Sequence, residues 1–153
     1  MIAALLIQTT LADVIAIRHI KPDFPLIVLV WISFSQGQLS GTVFGFIAGW
    51  LQDIYSPTHL GLNALCKTLT GFGVGYFSQG AVVDNLLVQG IILFLATLLH
   101  DVLYFLILAW GQFLDVPWYL LSHSLPVALY TTVVGLLMLT LLVTGKNRER
   151  RLR

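Results

Sequence analysis

Long apolar stretches separated by short polar breaks dominate this chain. Six segments carry the pattern: Met1–Ile17, Phe24–Gln36, Leu39–Ile54, Leu60–Gly80, Asn85–Trp110 and Leu120–Thr144. A bilayer core about 30 Å thick requires about 20 apolar residues in a helix, so the last two segments are long enough to cross it. The second segment is short and could be re-entrant. The pattern predicts an all-α, polytopic membrane helix bundle with six transmembrane helices, or with five.

The composition supports a surface that faces lipid. Hydrophobic residues make up 58% of the 153 positions and charged residues only 10%, whereas a soluble domain carries about 25% charged residues. So few charges cannot cover a water-facing surface, which argues against a soluble enzyme or a disordered chain. Cys66 is the only cysteine, so neither an internal disulfide nor a multi-cysteine metal site is available.

The first segment reads as a retained membrane helix. No basic residue precedes its apolar stretch, and no small-residue cleavage site precedes Arg18, so we do not expect a cleaved signal peptide. We expect one transmembrane domain over residues 1–145 and a basic cytoplasmic tail over residues 146–153.

Basic residues mark the C-terminal end. Five of them lie in the last eight positions: Lys146, Arg148, Arg150, Arg151 and Arg153. Lysine and arginine concentrate on the cytoplasmic side of a membrane, so the C-terminus should be cytoplasmic, where these residues would contact anionic lipid or a cytoplasmic protein. Six crossings then place the N-terminus inside as well, but put Arg18 and Lys21 outside. Five crossings would bring that loop inside, so the topology stays open between the two.

Glycine recurs on one face of the third segment. Gly41, Gly45 and Gly49 follow one another at four-residue spacing, and Asp53 continues the row. A face without side chains lets another backbone approach closely, which drives helix association in membranes. It could pack against a neighbouring helix of this chain or receive a membrane helix of a partner.

Asp53 stands where the macrodipole of its own helix disfavours a negative charge. We therefore expect a cation, a hydrogen-bond donor or water to compensate it. Pro57 ends the helix, since the residue before a proline avoids the α conformation. The stretch Ser56–Thr58 is then a turn, and Leu60-Gly61 starts the next helix, in which Gly71, Gly73 and Gly75 also allow close packing.

Three motifs together resemble a known family. They are Pro22-Asp23 followed by Pro25, the run Gly45-Phe46-x-x-Gly49-x-x-x-Asp53, and Leu60-Gly61-x-x-Ala64-Leu65. In these motifs, and in its length, hydrophobic layout and basic tail, the chain is similar to the MreD family of rod shape-determining membrane proteins.

The resemblance implies a non-enzymatic scaffold of the lateral peptidoglycan synthesis complex in the bacterial inner membrane. It also implies a six-helix fold similar to the substrate-binding subunits of energy-coupling-factor transporters. The implied partners are MreC, MreB, the glycosyltransferase RodA and its penicillin-binding transpeptidase.

Ionisable residues inside apolar segments are costly, and each is by default a candidate site. Under the six-crossing model five of them lie in the outer half of the membrane: Asp13, Asp53, Lys67, His100 and Asp101. Lys67 could offset any of the three acids. His100 and Asp101 are adjacent on a helix and should point in different directions, whereas His100 and Tyr104 could meet. The cluster could be a charge-paired patch that fixes helix register, an outward binding cavity or an ion path.

Nothing in the sequence points to catalysis. The histidines are too scattered for a metal site, no nucleophile–base–acid set stands out, and Gly71-Phe72-Gly73-Val74-Gly75 lies in an apolar helix rather than after a strand. We predict no enzyme activity, no cofactor, no metal and no nucleic-acid partner. The alternative to a scaffold is a small-molecule-binding membrane subunit of a transporter, for which a vitamin is the model ligand; an ion channel is a third hypothesis.

Overall fold

In the computed structural model, the part of the chain that is described forms five α-helices from Phe24 onwards. They are α1 (Phe24–Gln36), α2 (Gln38–Tyr55), α3 (Leu62–Phe77), α4 (Leu86–Leu108) and α5 (Leu125–Arg151), the last preceded by a π-helical turn, Leu120–Ser124. The structure describes residues 4, 7, 8, 10, 21–55, 59–78, 85–109, 118 and 120–151. Within these residues all regular structure is helical, which confirms the all-α prediction.

The helices run up and down, and α1 lies at the centre. It contacts each of the other four helices, while α2 packs on α3, α3 on α4, and α4 on α5. A core cluster around Phe24, Ile27 and Val30 of α1 includes Val74 of α3 and Leu93 of α4. Asp23 before α1, Tyr104 and Phe105 near the end of α4, and Val127 at the start of α5 lie together at one end of the bundle.

Large apolar side chains face outward, and two charged side chains are wholly buried. Large side chains such as Trp31, Phe46 and Trp50 are more than half exposed, whereas Asp53 and Lys67 are 0% exposed. Soluble monomers rarely expose apolar patches of this extent, and membrane proteins bury their ionisable groups in the bundle interior. The distribution is that of a protein surrounded by lipid.

Two helical stretches among the described residues are long and apolar enough to cross a membrane, Leu86–Leu108 and Leu121–Met138. They coincide with the fifth and sixth predicted segments. Helix α1 has 13 residues, which at 1.5 Å per residue gives about 20 Å, shorter than a bilayer core of about 30 Å. Most of Met1–Ile17 lies outside the described residues, although Ala4, Ile7, Gln8 and Thr10 are helical. Six crossings therefore stay a prediction.

Helices α2 and α3 form an antiparallel hairpin in which backbone touches backbone. A Cβ added at Gly41 would overlap the carbonyl of Gly71, and one added at Gly45 or Gly49 would overlap the backbone at Lys67 or Asn63. The partners move back along α3 in four-residue steps as the glycines move forward along α2. All three predicted glycines therefore face α3, and α3 occupies the place of any partner helix at these positions.

The hairpin continues to the other end of α2 through Gly75 of α3. A Cβ there would overlap Gln38 and Gly37. Gly37, the single residue between α1 and α2, has φ +84° and ψ −172°, a conformation that only glycine adopts readily. Gly73, by contrast, faces more open space: an added Cβ would meet only Leu99, at 3.8 Å. Gly71 and Gly75 thus make the expected close contacts and Gly73 does not.

Gly45→Ala should destabilise the protein while Gly73→Ala should not. The methyl group at position 45 must push the α3 backbone away, and such overpacking costs about 1–3 kcal/mol, more than the gain of about 1 kcal/mol from replacing a helical glycine by alanine. At position 73 only that gain applies. Thermal unfolding in detergent should show a lower midpoint for Gly45→Ala and an equal or higher one for Gly73→Ala. Equal midpoints for the two variants would contradict the backbone contact.

Candidate functional site

Asp53, the last residue of the glycine row, closes the α2–α3 hairpin. Its Oδ2 accepts hydrogen bonds from the backbone N–H groups of Gly61 and Ala64, both at 3.0 Å. Its Oδ1 accepts from the backbone N–H of Asn63 at 3.1 Å and from Asn63 Nδ2 at 3.0 Å. A buried carboxylate with four donors is satisfied, and it caps the N-terminus of α3 from outside that helix.

These four hydrogen bonds provide the compensation that the sequence predicted for the charge of Asp53. The C-terminal end of α2 disfavours the charge of Asp53, but the N-terminal end of α3, with its free N–H groups, favours it. It also corrects one expectation: α3 begins at Leu62, not at Leu60. Gly61, with φ +91°, precedes the helix and turns its N–H towards Asp53. The predicted turn Ser56–Thr58 lies outside the described residues.

Asp53→Asn should destabilise the hairpin strongly although it preserves shape. An amide nitrogen replaces one carboxylate oxygen, so two N–H donors lose their acceptor, at about 1–3 kcal/mol each. Asn63→Ala removes only the side-chain donor and leaves the three backbone contacts, so its loss should be about 1 kcal/mol. Thermal unfolding of both variants in detergent measures the difference. Similar losses for the two would show that Asp53 does not act as the cap of α3.

Lys67 is buried in the middle of α3 and pairs with Asp23. The ammonium Nζ forms a salt bridge with Oδ2 of Asp23, with the lysine side chain 0% exposed and that of the acid 19% exposed. Oδ1 of Asp23 accepts from the backbone N–H of Leu26 at 2.9 Å and so caps α1. From the sequence, Lys67 could have offset Asp53, Asp101 or Asp13, of which Asp13 lies outside the described residues; the structure instead pairs it with Asp23, an acid 44 residues away.

The reason for this correction lies in the competing contacts of each acid. The donors of α3 already surround Asp53, and His100 contacts Asp101. Asp23 keeps one oxygen free after capping α1, and it faces the only described cation that is wholly buried. Asp23 appeared in the sequence only within the Pro22–Pro25 motif. Its position before a helix with proline at the start predicts a cap, but nothing local predicts the pairing.

His100 and Asp101 do contact each other, contrary to the sequence expectation. His100 Nδ1 lies 3.2 Å from Asp101 Oδ1, so neighbouring side chains that diverge at Cβ bend back towards one another. The imidazole is 6% exposed, and a carboxylate is the strongest acceptor within its reach. The expected approach of His100 to Tyr104 is present as well, with the rings stacked at a centroid distance of 6.2 Å.

These side chains surround a cavity of about 310 Å³ at the polar end of the bundle. Asp23 at the start of α1, His100, Asp101 and Tyr104 of α4, and His123 before α5 contribute to its wall. Lys67 stands behind Asp23. Four residues of the predicted cluster are thus placed: His100 and Asp101 line the cavity, Lys67 backs it, and Asp53 belongs to the adjoining hairpin. Asp13 lies outside the described residues.

The basic residues of the tail lie at the opposite end of α5. The helix continues through Gly145 to Arg151, so Lys146, Arg148, Arg150 and Arg151 extend it rather than follow it. Arg153 lies outside the described residues. Among the residues that the structure describes, no group of three histidine, cysteine, aspartate or glutamate side chains is placed to hold a metal ion.

The losses from the two single changes at Lys67 and Asp23 should add up to more than the loss from removing both charges together. Lys67→Met leaves a carboxylate without its cation, and Asp23→Asn, which retains the capping oxygen, leaves a buried ammonium; either change should cost about 3–5 kcal/mol. The double variant removes both charges, so its loss should be smaller than the sum of the single losses by about 1–3 kcal/mol. Thermal unfolding of wild type, the two single variants and the double variant gives a double-mutant cycle. Strictly additive losses would show that the two charges do not stabilise each other.

A comparison with protein families agrees with the motifs of α2 and α3. The family model described as rod shape-determining protein MreD matches residues 1–144. The chain belongs to the MreD family. The resemblance drawn from the glycine and proline motifs is thereby confirmed, and the match extends over the later helices, which carry few distinctive residues. No curated protein and no solved structure matches the chain, so the similarity to energy-coupling-factor subunits stays a prediction.

Membership of the MreD family establishes a role in rod shape determination and a place in the membrane. The family is one of structural, shape-determining proteins. The two apolar spans and the outward-facing aromatic side chains of this chain agree with that location.

Proposed function

We propose that this chain is a non-enzymatic scaffold of the complex that synthesises lateral peptidoglycan during bacterial cell elongation. Its proposed partners are MreC, MreB, RodA and the elongation-specific penicillin-binding transpeptidase. The family match over residues 1–144 carries the proposal. The structure supports it because the glycines of the most distinctive sequence motif pack α2 against α3 and do not form a reactive site.

The proposed orientation places the cavity at the outer face of the inner membrane. Nineteen residues separate Val127, at the cavity wall, from Lys146 in the same helix, and 19 residues of α-helix span about 29 Å. That distance matches a bilayer core. With the basic end of α5 in the cytoplasm, the polar end lies outside, as a multi-pass protein with six crossings and a cytoplasmic C-terminus requires.

In this proposal the α2–α3 hairpin sets the shape that the partners recognise. Because its glycines contact α3, they are not available to a partner. The partners would then bind outward surfaces of the bundle, and the positions of these surfaces depend on the hairpin. Leu39, Phe46 and Trp50 of α2 are among the exposed side chains of such a surface. Spreading α2 from α3 would displace that surface without removing any helix from the membrane.

Gly45→Leu and Gly49→Leu should therefore disrupt complex assembly while membrane insertion persists. Gly73→Leu is the matched control, because the same side chain enters a more open position on α3. Co-purification of the MreC-like partner from native membrane in mild detergent should fall at least about tenfold for the first two variants and stay near wild type for the third. The first two should also fail to restore rod shape in cells that lack the native protein.

Two results would contradict the proposal. One is unchanged crosslinking and co-purification of the MreC-like partner in both Gly45→Leu and Gly49→Leu. The other is normal cell width and length, measured by microscopy, in cells from which the protein has been removed.

A further inference from the structure

His100 is a titratable side chain that the bundle holds in its interior in one protonation state. Its ring is 6% exposed, and its Nδ1 lies 3.2 Å from Asp101 Oδ1. Because a carboxylate can only accept, Nδ1 carries the proton, and Nε2 of the neutral ring is an acceptor. Nε2 is buried, and within the described part of the chain it has no hydrogen-bond partner. The surroundings therefore suit the neutral ring.

A second proton on the ring would be costly in this position. Both nitrogens of a protonated imidazole are donors, and a charged donor that is buried without an acceptor loses its hydration without a compensating hydrogen bond. The charges near the ring do not offset this cost, since among the described residues two are negative and two are positive: Asp101 of α4 and Asp23 before α1, Lys67 of α3 and Lys21 before α1. The other titratable groups in this region are Tyr104 of α4, Cys66 of α3 and His123 before α5.

Space for a hydrated ring lies beside His100. Other atoms of this residue form part of the wall of the 310 Å³ cavity, which has room for several water molecules at about 30 Å³ each. A displacement of the ring into the cavity would bring Nε2 into water, where an imidazole takes up its second proton at about pH 6.5. The same displacement separates the ring from Tyr104, on which it stacks at a centroid distance of 6.2 Å.

We propose that His100 forms a pH-sensitive contact between α4 and α3: the neutral ring keeps the polar end of the bundle closed, and protonation moves the ring into the cavity and opens this end. Acid favours the open state because the hydrated ring binds the proton and the buried ring does not. Above pH 6.5 the ring is neutral in both states. Below it, the ratio of open to closed protein rises up to tenfold for each pH unit, which gives about a tenfold rise between pH 7.5 and pH 5.5.

Cys66 reports this opening without an added label. It is the only cysteine of the chain, it is 0% exposed, and it lies on α3 close enough to Asp101 and Tyr104 of α4 for their charges to interact. A buried thiol reacts only while the structure is open, so its rate of modification follows the open population.

Purified full-length protein in detergent is treated with 4,4′-dithiodipyridine at pH 7.5, 6.5 and 5.5. Each rate is divided by that of glutathione at the same pH, which removes the pH dependence of the thiol reaction itself. The relative rate of wild type should rise about tenfold from pH 7.5 to pH 5.5, and that of His100→Gln should not change, because glutamine does not titrate. His123→Gln is the matched control: it removes an exposed imidazole from the same cavity wall and should keep the wild-type response.

A constant relative rate in wild type would overturn the proposal whether or not any variant folds. A response that persists in His100→Gln, or that disappears in His123→Gln, would overturn it too, since another group would then be responsible. Circular dichroism at each pH measures helix content, and a loss of helix in wild type at pH 5.5 would mean that acid unfolds the protein rather than opening one end. Co-purification of partners at neutral pH tests the scaffold separately.

Discussion

The close backbone contact between α2 and α3 is the constraint on which the rest of the structure depends. Lipid tails are as apolar as leucine side chains, so helices in a bilayer gain little from burying apolar area against each other. Gly41, Gly45 and Gly49 replace that missing drive by bringing two backbones into direct contact. Once the two helices are in register, Lys67 is fixed with its carbonyl against Gly45 and its ammonium against Asp23, and α1 is joined to the hairpin.

Two acids satisfy helix N-termini in this interior. Asp53 satisfies the first N–H groups of α3, and Asp23 caps α1 while it neutralises Lys67. Hydroxyl groups such as those of Ser33 and Thr70 bond to the carbonyl four residues earlier in their own helix. Because unpaired polar groups are so costly in hydrocarbon, these contacts favour one register of the bundle.

The glycine motif that resembles the MreD family has a structural role in this fold. The glycines of the family-like motif are used in packing between α2 and α3. The polar end and the basic end of α5 lie on opposite sides of the bundle.

The sequence by itself determined the features that repeat along the chain. Apolar length and period set five described helices close to the predicted segments, and the four-residue spacing of Gly41, Gly45 and Gly49 predicted a close helix contact because side-chain-free positions on one face permit it. The need of Asp53 for a compensating group also followed from its place at a helix end. These are local properties, which depend on residues only a few positions apart.

The tertiary structure alone decided which residues meet across the chain. The packing of α1 to α5 decided that the glycine face of α2 contacts α3 and that Lys67 pairs with Asp23 across 44 residues. It also brought Gly90 and Gly135 close to leucines of the facing helix. Periodicity identifies the face of a helix but not its neighbour. The contact between His100 and Asp101 shows the same limit at short range, because burial of the ring, and not the direction of its Cβ, selects the nearest carboxylate.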